Sequence, residues 1–198
     1  VPAGSQTAKP GTWVPGPGED FFNAVQKDLG TLPFIAEDLG DITPDVDTLR
    51  NKFQLAGTRV LQFAFNDRPD NPHLPHNYVP NTAVYTGTHD NNTTRGWYEE
   101  LSKQQRQVVL DGLQRPRLLC TEAAATLMSL AWSSVASLAM IPLQDVLSLG
   151  AEARMNVPGT AEGNWDWRCS AEMLSAAAFQ SLQKLTTTFN RQPAKTME

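Results

Sequence analysis

Leu32-Pro33-Phe34-Ile35-Ala36-Glu37-Asp38-Leu39-Gly40, with Thr43-Pro44-Asp45 just behind it, sets the pattern of the whole chain. A short apolar run gives way to two acids and a glycine, then to a threonine and a proline at helix-opening positions. Val46, Leu49 and Phe53 recur at helical spacing, which predicts a helix to about Phe53 with those three residues facing inward. The cycle repeats downstream. Val60 to Phe65 is a second strand candidate running into Asn66-Asp67, and Ala83 to Thr86 a third running into His89-Asp90. Ser137 to Ile141 is a fourth, followed by Gln144-Asp145 and a short helix. Other helices are expected over Thr93 to Leu101, Lys103 to Leu113, Thr121 to Val135 and near Ala171 to Phe189. Before all of these, Asp20 to Leu29 stacks Phe21, Phe22, Val25 and Leu29 on one face and stops at Gly30.

Strands apolar on both faces, alternating with helices, specify a parallel sheet covered by helices, so the fold class is α/β. About four parallel strands in 198 residues are too few for a closed (β/α)8 barrel, which takes eight strands and about 250 residues. Half a TIM barrel accommodates the mismatch, and a small open α/β sheet is the alternative. The first eighteen residues, ending in Pro15-Gly16-Pro17-Gly18, read as loop.

Composition narrows the functional classes. A net charge of −5 and a pI near 5.2 leave no basic stripe for a phosphate backbone, so nucleic acid is not expected as a partner. Ala136 to Leu143 is far too short to span a bilayer. No basic and apolar leader opens the chain, and two cysteines, Cys120 and Cys169, make no disulfide framework. A reduced, cytoplasmic setting fits best, with a plastid as the counterpart for a plant or alga.

In parallel α/β folds the functional groups gather at the C-terminal ends of the strands, where this chain repeatedly places an acid. Carboxylates converging there suit metal binding, proton abstraction or glycosyl transfer. Glu37 follows Phe34-Ile35-Ala36 directly, and an apolar wall would favour the protonated form that a general acid needs. It could equally cap or ion-pair the next loop. Strand alternation sends Asp38 to the opposite face, which suits a structural role. Gly87-Thr88-His89-Asp90-Asn91 sets donors and acceptors side by side, as sugar hydroxyls require, and is also the composition of a turn. His73 and His76 lie in a Pro-rich loop without metal-ligand spacing. No Gly-x-Ser-x-Gly elbow and no glycine-rich phosphate loop is present. Trp165 and Trp167, flanked by Asn164, Asp166 and Arg168, suit the wall of a sugar site or its buttress, whereas Trp132 reads as core.

Several segments in order are similar to the 4-α-glucanotransferases of glycoside hydrolase family 77, the amylomaltases or disproportionating enzymes. They are Trp13-Val14-Pro15-Gly16-Pro17-Gly18, Ile35-Ala36-Glu37-Asp38-Leu39-Gly40 and Val60-Leu61-Gln62-Phe63-Ala64-Phe65, then His76-Asn77-Tyr78 and Tyr85-Thr86-Gly87-Thr88-His89-Asp90-Asn91. Ile141-Pro142-Leu143-Gln144-Asp145, Ala153-Arg154-Met155-Asn156, Pro158-Gly159-Thr160 and Gly163-Asn164-Trp165-Asp166-Trp167-Arg168 complete the set. The resemblance implies the later four strands of a (β/α)8 barrel, with residues 1–198 a partial catalytic domain. It implies Glu37 as general acid/base, Asp90 as the transition-state-stabilising carboxylate and His89 as its sugar-binding neighbour. It further implies Phe63, Asp67 and Asn164 as substrate contacts. No cofactor and no metal is implied. The family's nucleophile, the Asp of an Arg-x-Asp-His segment, has no counterpart in this chain, so it is expected N-terminal to Val1. The partners implied are an α-1,4-glucan donor, a glucose or maltooligosaccharide acceptor and the missing N-terminal part of the enzyme, and the fragment alone is expected to be inactive. Asn92 stands where similar sequences mostly carry Asp. An α-glucan hydrolase of the same clan and a non-catalytic glucan-binding module are the competing readings.

Overall fold

A computed structural model describes residues 1–66 and 68–192. Four parallel strands, β1 (Ile35–Ala36), β2 (Ala56–Val60), β3 (Thr82–Tyr85) and β4 (Leu138–Met140), lie side by side in sequence order. Register pairs Ile35 with Ala56, Thr58 with Ala83, and Tyr85 with both Val60 and Met140. The α/β expectation is therefore met. The helices are α1 (Glu19–Leu29), α2 (Pro44–Lys52), α3 (Thr94–Glu100), α4 (Lys103–Gly112), α5 (Cys120–Ser133), α6 (Leu143–Val146) and α7 (Ala176–Thr188). No helix among the described residues is long and apolar enough to cross a membrane.

Side-chain caps set the starts of α3 and α4. Thr93 caps α3 by accepting from the Gly96 amide at 3.1 Å, and Ser102 exchanges reciprocal capping bonds with Gln105 at the start of α4. The core lies between the sheet and α5: Val84 on β3 packs with Leu61, Tyr78, Leu127, Ala131 and Trp132. A second cluster, Tyr98, Val109, Leu118 and Ala123, joins α3, α4 and α5. Arg191 closes the end of α5, donating to the Trp132 and Ser134 carbonyls at 2.7 Å each.

Three expectations need correction. The second strand is Ala56–Val60 and not Val60 to Phe65, because Leu61–Phe63 winds into a 3-10 turn closed by the Ala64 amide on the Leu61 carbonyl at 3.0 Å. The helix expected over Ala171 to Phe189 is a 3-10 turn at Ala171–Met173 followed by α7. The apolar faces of α1 and α2 bury no residue: Phe21, Leu29 and Val46 remain exposed, with Phe22 stacked on Phe53 at 5.0 Å.

The sheet itself is open. Among the described residues β1 and β4 each pair on one side only, and Phe34, Ile35, Leu138 and Met140 are exposed. An apolar inner face and two free edges characterise a sheet that stops short of closure.

Candidate active site

Because the strands are parallel, their C-terminal ends share one rim, and there the chain forms a cavity of about 530 Å³. Glu37 lines it from the end of β1, Thr58 from β2, Tyr85 with Gly87 to His89 and Asn91 to Thr93 from β3, and Met140 to Pro142 with Gln144 from β4, while Asp90 stands outside the lining. Arg154, Met155 and Trp165 form the far wall.

Glu37 and Asp38 divide as strand alternation requires. Glu37 is exposed and faces the cavity, open to solvent and not walled in by apolar neighbours. Asp38 is buried on the outer side, where its carboxylate accepts from Arg50, from Arg59 Nη1 at 3.0 Å and from the Thr58 amide at 2.6 Å. Gly57 makes room for it: a Cβ there would lie 2.8 Å from Asp38 Oδ2. Tyr85 stands beside Glu37, and burial together with the Glu37 carboxylate pushes its phenol above the usual range. It therefore offers the cavity an O–H donor at neutral pH.

His89 and Asp90 sit on a tight turn after β3. Thr88 donates its amide and hydroxyl to Asn91 Oδ1, both at 2.9 Å, while the Asp90 amide donates to Thr88 Oγ1 at 3.3 Å. Gly87 lets this turn pass over Gln62, whose Nε2 would lie 2.5 Å from a Cβ at that position. Both side chains are about half exposed, with His89 Nε2 3.3 Å from Asp90 Oδ1. On the far side Asn156 Nδ2 donates to Asp90 Oδ1 at 2.6 Å. Arg154 Nη2 donates to the Asp90 carbonyl at 2.8 Å, and the Asn156 amide to the His89 carbonyl at 3.1 Å. The segment 154–156 thus orients the Asp90 carboxylate and leaves its second oxygen free of protein hydrogen bonds among the described residues.

Trp165 completes the wall. Its ring is 50% exposed and stacks on His89 with centroids 5.2 Å apart and planes tilted by 36°. Trp165 adopts φ 63°, a sparsely populated conformation for a bulky residue, and its amide bonds the Met155 carbonyl at 2.7 Å. Asn164 shapes the adjoining loop, accepting from the Val157 amide at 2.8 Å and donating to the Thr160 carbonyl and hydroxyl.

The structure therefore brings Glu37 and His89 onto one cavity, with Asp90 fixed next to His89. Phe63 and Asn164 stand apart from its lining; the Phe63 ring is exposed and meets His73 edge-on at 5.5 Å. Asp67 lies outside the described residues. The expectation of an acid from every strand at the mouth is corrected at β4, since Asp145 is buried and bonded to Thr86 and Thr94. Arg154, Asn156 and Tyr85 were given no individual part from sequence, although Arg-Met-Asn following a helical turn is a polar pair at alternate positions and carries a readable signal. Among the described residues no three His, Cys, Asp or Glu side chains gather as a metal cluster, and Cys120 and Cys169 both carry free thiols.

Comparison with known proteins finds similar chains. A family model described as 4-alpha-glucanotransferase covers residues 1–174. The 4-alpha-glucanotransferase of Synechocystis sp. is 48% identical over 194 residues, which is 96% of this chain and 38% of that protein. The Thermus thermophilus protein of the same name is 49% identical over 173 residues, 85% of this chain and 35% of that one. A chloroplastic/amyloplastic 4-alpha-glucanotransferase from Solanum tuberosum is 45% identical over 195 residues, covering 96% of this chain and 33% of its own length. Among solved structures, amylomaltase from Streptococcus agalactiae in complex with acarbose superposes with a TM-score of 0.88 at 35% identity, over 98% of this chain and 39% of that one. The chain thus spans well under half the length of the relatives it matches.

Proposed function

The chain belongs to the 4-alpha-glucanotransferase family, and from that membership we propose that it carries the acid/base half of a retaining glucan-transfer site. The observation that supports this most directly is the convergence of Glu37 from β1 and His89 from β3 on one cavity, with Asp90 held beside His89. In the complete enzyme an Asp from an Arg-x-Asp-His segment attacks the anomeric carbon of an α-1,4-glucan. Glu37 meanwhile gives its proton to the departing glycosidic oxygen. The acceptor 4-hydroxyl oxygen then attacks the anomeric carbon while the Glu37 carboxylate takes its proton, the bond to the Asp breaks, and the sugar leaves the enzyme with its configuration retained. This geometry requires the two carboxyl groups to lie roughly 5–5.5 Å apart.

Asp90 acts on the donor sugar. Its oxygen not occupied by Asn156 accepts from a ring hydroxyl, and that bond strengthens as the ring flattens toward an oxocarbenium-like state. His89 donates beside it, and the Trp165 face stacks against a pyranose. Phe63, Asp67 and Asn164 are assigned to more distant glucan contacts. Domain organisation follows from the same reading: residues 1–198 form the later part of a (β/α)8 barrel, and the nucleophile is supplied by the earlier part. Residence in the cytoplasm, or in a plastid for a plant or algal source, completes the proposal.

Incubation with maltotriose tests it. The chain alone is expected to yield no longer maltooligosaccharides, and the chain joined to the N-terminal portion of a family member is expected to yield them. Glu37→Gln in the joined enzyme is expected to abolish elongation. Elongation by the chain alone, or a Glu37→Gln enzyme as active as its parent, overturns the assignment; glucose release without elongation points instead to a hydrolase.

A further inference from the structure

One buried carboxylate outside the cavity holds both ends of the loop that carries His89 and Asp90. Asp145 is 2% exposed. Its Oδ2 accepts the Thr86 hydroxyl and the Thr94 hydroxyl, each at 2.6 Å, and its Oδ1 accepts the Thr94 amide at 2.7 Å. Thr86 is the residue at which β3 passes into the loop, and Thr94 is the first residue of α3. The seven residues between them are therefore hung, front and back, from a single side chain belonging to α6. Gln62 adds a strut from below, its Nε2 donating to the Asn92 carbonyl at 2.9 Å.

The surroundings make a charge at this place costly. Burial pushes the Asp145 carboxyl above its usual range in spite of the three donors that act the other way. No Lys or Arg bonds to it among the described residues. An amide of the same shape would avoid that cost, but it would hold the loop only through weaker neutral bonds, with both hydroxyls turned to accept from its N–H₂ group. Stability alone thus gives little reason for a carboxylate here, whereas the geometry of the loop does.

We infer that Asp145 is a positioning residue for glucan transfer, clamping Thr86 and Thr94 so that the His89–Asp90 turn stays fixed against the sheet. The inference rests on the proposed placement of Asp90 at the donor sugar. It gives Asp145 no contact with substrate; its effect passes entirely through the loop.

Two measurements test it. In the chain itself, hydrogen exchange at the amides of residues 87–93 is expected to quicken about tenfold in Asp145→Asn and in Thr86→Val, with exchange in α5 unchanged. In the enzyme joined to an N-terminal portion, kcat is expected to fall by up to roughly 10²-fold, since a misplacement of about 1 Å costs that much. KM is expected to move by less than about threefold. The Asp145→Asn/Thr86→Val double variant is expected to lose little more than either single variant, because both break one clamp. Thr86→Val and Thr94→Val keep the side-chain shape and carry the test should Asp145→Asn fold poorly. Unchanged loop exchange, or losses in the double variant that simply add, overturn the inference. An unmutated joined enzyme without transferase activity refutes the functional proposal instead, while the exchange measurement still decides the clamp.

Discussion

Replacing Asp38 by Asn, beside a matched Glu37→Gln, separates scaffold from site at adjacent positions. Asp38 has a side chain 3% exposed and stands between Arg50 and Arg59, each 15% exposed. An Asn keeps the acceptor for the Thr58 amide but turns an N–H₂ group toward two guanidinium groups, donor against donor. Two charge-assisted hydrogen bonds disappear, each worth about 1.5–3 kcal/mol. Part of the loss is recovered, since Arg50 retains Asp47 at 3.1 Å and Arg59 retains the Thr58 carbonyl at 2.6 Å. The expected cost is therefore at the lower end of the range for breaking a buried pair, about 3 kcal/mol. Against a total stability of about 5–15 kcal/mol that is a large fraction. Glu37→Gln changes an exposed side chain and is expected to cost less than about 0.5 kcal/mol. Urea unfolding of the chain followed by circular dichroism reads both values, with the slope unchanged if the mechanism is loss of the pair alone. An Asp38→Asn chain within about 1 kcal/mol of the parent, or a Glu37→Gln chain destabilised as much as Asp38→Asn, refutes the division of the two acids between opposite faces of β1.

Four further outcomes follow from the structure. Trp165→Ala, which removes a half-exposed ring from His89, is expected to weaken maltoheptaose binding by the joined enzyme about three- to tenfold in calorimetric titration, as loss of one aromatic stack predicts. His73 accepts the Val60 amide on Nδ1 at 3.0 Å, and burial and then Arg59 hold its pKa below the ordinary 6.5; its contribution is present above that value and is lost as pH falls toward the depressed folded pKa, so Tm measured from pH 8 downward should decline below about 6.5 and His73→Gln should flatten the decline. Leu127→Ala, at a fully buried core position, is expected to cost about 2–5 kcal/mol in urea unfolding, against under about 0.5 kcal/mol for Leu119→Ala at a 53% exposed one. Free edges on β1 and β4 beside exposed Ile35, Leu138 and Met140 should make the isolated chain self-associate in sedimentation at micromolar concentration, and Leu138→Lys should reduce this.

Elements set by local chemistry were legible in the sequence: the helix opening at Thr43-Pro44, a helix from about Thr93 and the order of strands and helices. The second strand was not, because Ala56-Gly57-Thr58-Arg59 looks like a poor strand. Gly57 is there for the carboxylate of Asp38, twenty residues or so upstream in sequence and pressed against it in space, and no local pattern reveals such a contact. Val60 to Phe65 carries the stronger strand signal, yet Leu61–Phe63 turns the corner beyond the sheet. At the candidate site, the rim position of Glu37 was readable from strand alternation, and the turn at His89-Asp90 from a glycine followed by paired polar groups. What remained hidden was the support. Asn156 reaches Asp90 across 66 positions of sequence and Asp145 reaches Thr86 across 59.

That division has a physical origin. An acid at a strand end in a parallel sheet has two places to go: outward over the rim, where water solvates it, or back between sheet and helices, where it must gather donors to offset desolvation. Glu37 and Asp90 took the first course, Glu37 exposed at the rim and Asp90 half-exposed with one oxygen on Asn156. Asp38 and Asp145 took the second, and each ties together segments distant in sequence: β1 to β2 and α2 in one case, and β3 to α3 and α6 in the other. Identical residue types in one recurring pattern thus end either at the open rim or within the scaffold, and the donors within reach decide which.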